Sequence, residues 1–407
     1  MPATSAQSNE AVKKAESKIS KMLTRLAFGT PMIGAFFGLV YLGHPYLVLL
    51  VVFLQVGLFR ELVNAAYVEA QERDIPLFRT LQWCMFALAM WETYTKTFLK
   101  LGLVADLSKQ VPALAPSLQY FARYRNFFTF SAYVIIFVLF VLTLRNKRIQ
   151  YQIGNSVWTV AVLCLIVFQI AGTAHLIFAG LFWFMLPCGL VVANDCWAYF
   201  CGVALGRKLI KAEFLAISPN KTWEGFIGAF FLTLIWAWLY SSWISNSSWL
   251  VCPQPELVAF ADLRCNPSSL FVTQKIALPY DDYTLFTVEA KPVQLHALLL
   301  ASFASVVAPF GGFLASAIKR AYEIKDFDSF IPGHGGLMDR MDCHFLMLLC
   351  TYIHYQTFIA ESNLSVTQVE AQVLYHFKLL PVEHHSKMLD LLLGQMSTAA
   401  IGQKLEL

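Results

Sequence analysis

HALLLASFASVVAPFGGFLA, His296–Ala315, runs for twenty residues without one Asp, Glu, Lys or Arg. A helix of that length is about 30 Å long, the thickness of a bilayer's hydrocarbon core. It leads directly into SAIKRAYEIKDFDSFIPGHGGLMDRMDC, Ser316–Cys343, where the stretch from Lys319 to Asp342 holds four basic residues, five acidic ones and one histidine. A further apolar run, Cys343–Ile359, follows. A chain that sets its densest charge cluster between two such runs is a membrane protein with polar work to do at the bilayer surface.

The same alternation recurs through all 407 residues, which are 57% hydrophobic and only 14% charged. A soluble domain is nearer a quarter charged. The apolar runs are continuous, not alternating, so they read as helices and not as a β-barrel. The expected fold is all-α and polytopic, with about nine spans: Leu26–Leu42, Pro45–Phe59, Thr80–Leu101, Phe127–Leu144, Ser156–Ala171, Ala174–Leu205, Gly225–Ile244, His296–Ala315 and Cys343–Ile359. The sixth contains Pro187, where a break or kink is expected. Lys and Arg in the N-terminal tail, at Arg145–Arg148, at Arg207–Lys211 and at Lys319–Lys325 fall on one side, which the positive-inside rule makes cytosolic. The division expected along the chain is a disordered basic cytosolic tail (1–25), N-terminal transmembrane helices (26–155), a catalytic transmembrane domain (156–360) with a lumenal loop at 245–295, and a polar, amphipathic tail (361–407). A net charge of +4 makes no case for nucleic acid. The nine cysteines show no zinc spacing. Cys252 and Cys265 lie in the polar loop and form a disulfide if that loop is lumenal. Asn246-Ser-Ser is a glycosylation sequon compatible with the same side.

Three groups of residues carry chemistry. Asp339 and Asp342 are three apart and share a helix face. Such a carboxylate pair suits magnesium, which binds through one or two carboxylates together with substrate phosphates. Asp326 adds a third carboxylate. The glycines Gly333, Gly335 and Gly336 around His334 let backbone amides approach an anion. Lys319, Arg320, Lys325 and Arg340 supply charge for phosphate oxygens. Lys319 and Arg320 taken alone serve equally as topology residues, and His334 is as well a backbone-fixing residue as a substrate contact. The second group is Asn194–Asp195. An acid inside an apolar run faces a polar cavity as a rule, because its charge is costly in lipid. The third is ISPNKTWEG, Ile217–Gly225. There Ser218-Pro219 reads as a helix start, placing Lys221 and Thr222 at an anion-binding N-terminus. Phe59-Arg60-Glu61 and Trp91-Glu92 read as interfacial ends of spans, and His384-His385 as surface.

Taken together these residues resemble the phosphatidate cytidylyltransferases, or CDP-diacylglycerol synthases. Ser316, Lys319, Arg320, Lys325, Asp326, Pro332, Gly333, His334, Gly335, Gly336, Asp339, Arg340 and Asp342 reproduce that family's long signature. Asn194-Asp195 with Ala198-Tyr199, and Ser218-Pro219 with Lys221–Gly225, match it too, while Asn220 stands where the family has lysine. YLGHP, FRTLQW, KTWEGFIG and PFGGFLAS resemble the eukaryotic branch, found in the endoplasmic reticulum membrane. The resemblance implies CTP and phosphatidate as substrates and CDP-diacylglycerol and pyrophosphate as products, feeding phosphatidylinositol, phosphatidylglycerol and cardiolipin. It implies magnesium held by Asp339 and Asp342 with Asp195 or Asp326, with room for a second cation. The basic residues would hold triphosphate and lipid phosphate. Ser218, Lys221 and Thr222 would assist on one phosphate, in a polar cavity facing the cytosol. Assembly as a homodimer is compatible with the chain, and no residue decides it. The competing readings are a CTP-dependent lipid kinase, which would transfer the γ-phosphate, and an anion transporter built around Asp195 and a broken helix.

Overall fold

The computed structural model describes residues 24, 27–67, 75–218, 221–254, 264–280, 283–328, 335–360 and 387. Most of both tails lies outside these, as do Pro219, Asn220, Pro332, Gly333 and His334. Two units separate by internal contact, 1–353 and 354–407.

The chain is a multi-pass helical membrane protein. Its helices are α1 (Ala27–Leu42), α2 (His44–Ala65), α3 (Phe78–Lys100), α4 (Leu103–Gln110), α5 (Ala115–Arg123), α6 (Arg125–Leu142), α7 (Ile149–Leu163), α8 (Thr173–Ala179), α9 (Phe182–Leu205), α10 (Trp223–Ile244), α11 (Pro292–Val306), α12 (Pro309–Ala321) and α13 (Met338–Phe358). Six stretches among the described residues are long and apolar enough to cross a membrane. They are α2, α6, Ile149–Ala179, α9, α10 and Pro292–Ala321.

α3 was expected to span and is long enough, but it is too polar to be one of the six. The reason is where its polar groups point. Gln82 is buried and donates to Asn155 at 3.2 Å and Thr159 at 3.0 Å on α7. Tyr94 donates to Gln55 of α2 at 2.6 Å, and Gln55 in turn donates to the carbonyl of Ile166 at 2.8 Å. That carbonyl lies in a π-helical turn, Cys164–Phe168. A wide turn loosens the regular carbonyl pairing, and a neighbouring side chain takes the acceptor. Polar residues in these helices thus face protein, where a partner waits, and not lipid.

Two expectations need correction. Of the break or kink expected at Pro187, the run Ala174–Leu205 shows no break there, since Pro187 sits inside the continuous helix α9. It breaks seven residues earlier in the chain, at Gly180, whose φ of 137° only glycine adopts readily. The run His296–Ala315 extends from Pro292 to Ala321 and is interrupted at Val307–Ala308, ahead of Pro309. Proline has no N–H to continue the helix before it, and its fixed φ starts the next one.

The segment between α10 and α11 carries an antiparallel hairpin, β1 (Gln274–Tyr280) and β2 (Tyr283–Ala290), with Gln274 opposite Ala290. Cys252 and Cys265 are joined by a disulfide. Lys291 closes the base of this segment, donating to Ser245 at 2.9 Å and to the Asn246 side chain at 2.7 Å.

Candidate active site

α9, α10 and α11 pack side by side, and α12 follows α11. At one end of this group is a cavity of about 350 Å³. Its polar lining is Asn194 and Asp195 of α9 with Lys221 and Thr222 at the start of α10. Tyr199, Val203, Phe214, Phe226 and Phe313 supply the apolar walls. Lys221 lines the same cavity as Asp195. Asn194 is buried, and its carbonyl accepts from Thr233 across the α9–α10 contact at 3.3 Å. It therefore joins the helices as well as lining the cavity.

The start of α10 differs from the sequence expectation. The helix begins at Trp223 with Thr222 as its cap, the hydroxyl accepting from the Gly225 amide at 3.2 Å. Ser218 is not the cap. It lies half-buried in the preceding loop, its carbonyl accepting from the Lys221 amide at 3.1 Å. The loop itself is held by Glu224, whose Oε1 accepts from the amides of Leu209 at 2.9 Å and Ile210 at 2.8 Å.

The charged cluster forms a second group around the start of α13. Lys319 Nζ lies 2.6 Å from Asp339 Oδ1. The other oxygen of Asp339 accepts from the amides of Gly336 at 3.2 Å and Phe327 at 3.4 Å. A side chain at Gly335, where φ is 82°, would come within 3.3 Å of Asp339 and 3.8 Å of Asp326. Arg320, Lys325 and Asp326 are exposed at the end of α12 and in the loop after it. Asp342 lies on the face of α13 that meets α12. Its Oδ1 accepts from the Cys343 amide at 2.8 Å and its Oδ2 faces Gly312. Burial pushes its carboxyl up to about 6, and the charges of Asp195 and Asp339 act in the same direction. Asp342 is thus the group through which the two clusters meet.

Among the described residues no three His, Cys, Asp or Glu side chains stand together as a ready metal cage. Asp195 lines the cavity, and Asp342 lies on the face of α13 that meets α12. Asp339 is already engaged by Lys319 and two amides.

Sequence reasoning passed over Glu61. It is 3% exposed, and its two oxygens accept from the amides of Leu337 and Met338, each at 2.8 Å. An acid within an apolar run was the signal available. Its nearness to the helix end made it look interfacial.

These features define a class: a multi-pass membrane enzyme with an amphipathic cavity lined by Asp195 and Lys221 and a cluster of carboxylates and cations at the start of α13. Residues 23–358 match the model of the Cytidylyltransferase family, and the chain belongs to that family and is a nucleotidyltransferase. It is 39% identical over 367 residues to the probable phosphatidate cytidylyltransferase of Dictyostelium discoideum, covering 88% of this chain and 75% of that one. It is 35% identical over 395 residues to the phosphatidate cytidylyltransferase of Saccharomyces cerevisiae, covering 95% and 83%. To phosphatidate cytidylyltransferase 1 of Homo sapiens it is 36% identical over 385 residues, covering 92% and 81%.

Proposed function

We propose that the chain joins CTP to phosphatidate, giving CDP-diacylglycerol and pyrophosphate. The observation that carries this reading is the cavity at α9, α10 and α12. Its polar end, with Asp195 and Lys221, suits phosphates, and its apolar walls suit a lipid. The names of the relatives point the same way.

In the proposed reaction an oxygen of the lipid phosphate attacks the α-phosphorus of CTP. The bond from that phosphorus to the bridging oxygen of the β-phosphate breaks, and pyrophosphate leaves in line. Lys221, Lys319 and Arg340, with Arg320 and Lys325 at the rim, hold the phosphates and offset their charge. Thr222 and the Gly335 amide orient them. Asp195 and Asp342 would hold magnesium, with Asp326 and Asp339 beside them. The chemistry such an ion supplies when bound is neutralisation of charge on the departing pyrophosphate. We place the enzyme in the endoplasmic reticulum membrane with the cavity towards the cytosol. The basic residues of the site support that side, and the Cys252–Cys265 disulfide supports an oxidising compartment opposite. The product would supply phosphatidylinositol, phosphatidylglycerol and cardiolipin synthesis.

The test uses purified protein in phosphatidate micelles with magnesium and CTP labelled at either the α- or the γ-phosphate. We expect α label in lipid and γ label in pyrophosphate. γ label in lipid would make the protein a kinase and overturn the reading.

A further inference from the structure

We infer that Glu61 is a positioning residue for the reaction, supplied by a helix far from the catalytic signature. The inference rests on the proposed cytidylyl transfer. A helix begins with backbone N–H groups that have no partner within the helix. At α13 two successive amides, Leu337 and Met338, donate to the two oxygens of Glu61, each at 2.8 Å. A carboxylate at that end also meets the positive pole of the helix dipole. Both amides and the acid are buried, so the contact is charge-assisted and shielded from water.

Two bonds to adjacent amides fix both the position of the first turn and its rotation about the helix axis. That turn carries Asp339 and Arg340, and Asp342 follows it at the start of the next turn. Gly336 shows how closely the clamp fits: a Cβ there would lie 2.8 Å from Glu61 Oε2 and 3.1 Å from the Asp328 amide. The glycine of the signature is required at this position because Glu61 occupies the space a side chain would need. Glu61 touches no reacting atom in this arrangement. It acts by holding the residues that do.

The experiment compares Glu61→Gln and Gly336→Ala with the starting protein in the α-label assay. Glu92→Gln, a carboxylate pairing α3 with Arg125 and Thr129 of α6, is the control for general loss of packing. Glutamine keeps one acceptor but turns an N–H₂ towards the second amide. Misplacement of a catalytic turn by about 1 Å costs on the order of 100-fold in rate. We expect Glu61→Gln to lower kcat about 10- to 100-fold with the KM for CTP within about threefold, while Glu92→Gln keeps kcat. Gly336→Ala, which expels the same carboxylate, is expected to match it, and the double variant to be no worse than either alone. A folded Glu61→Gln enzyme with normal kcat would overturn the inference. So would loss of the folded protein in both variants, because the contact would then serve the fold and not the placing of one turn. Absence of α-label transfer by the starting protein would instead remove the proposed function.

Discussion

Gly311 and Gly312 lie where α12 passes α13. A Cβ on Gly311 would collide with the Asp342 carbonyl, and one on Gly312 would sit 3.2 Å from Asp342 Oδ2. We expect Gly311→Ala to push α13 away, costing about 1–3 kcal/mol in stability and most of the turnover. Thermal unfolding and α-label transfer on the same preparation measure both. Asp342→Ala is the sharper test of chemistry: turnover should vanish while the protein stays folded and inserted. An active Asp342→Ala enzyme would remove Asp342 from the proposed ion site. At this scale the sequence speaks for charges that are expensive where they stand. Asp195 and the Lys319–Asp342 cluster were legible because lipid makes a bare charge costly. Glu61 was not, because its two partners are 276 and 277 residues away, and an acid near a helix end has an innocent explanation.

The loop from Gly206 to Lys221 depends on one side chain of the helix it precedes. Glu224 takes the Leu209 and Ile210 amides on a single oxygen, as Glu61 takes the two amides at the start of α13 on its pair. Replacing it with glutamine keeps the accepting oxygen but removes its charge, which should weaken both bonds. Trypsin should then cut faster within Arg207–Lys211, and unchanged cleavage would mean the loop holds itself. Elements were easy to foresee and their ends were not. Apolar runs fixed where helices lie, since each must bury its backbone polar groups internally. The break at Gly180 instead of Pro187 depends on a backbone angle, and proline early in a helix loses only one bond. The cap at Thr222 instead of Ser218 is a choice between two hydroxyls four residues apart, and only Thr222 is placed to accept from the Gly225 amide.

Across the molecule, the site is assembled at one end of the helices, while the segment between α10 and α11 is tied by a disulfide and by Lys291. Cys252 and Cys265 are 13 residues apart. Closing a loop of about 15 residues is worth about 3 kcal/mol, so the Cys252→Ser, Cys265→Ser variant should unfold at a lower temperature. Its α-label transfer rate at low temperature should be unchanged, and a lost rate would place this segment in the reaction. The polytopic helical architecture was legible from hydropathy alone, whereas the hairpin of Gln274–Ala290 was not, lying in a polar segment with no need to hide its backbone. The clamp of Glu61 on α13 also has a history within each molecule's synthesis. At about 5–20 residues per second, a ribosome that has finished Glu61 needs roughly 14–55 s to reach the amide it will hold, 276 residues later. Through that interval α2 carries an acid whose native partners do not yet exist, so it has to wait hydrated at the membrane surface until α13 arrives to cover it.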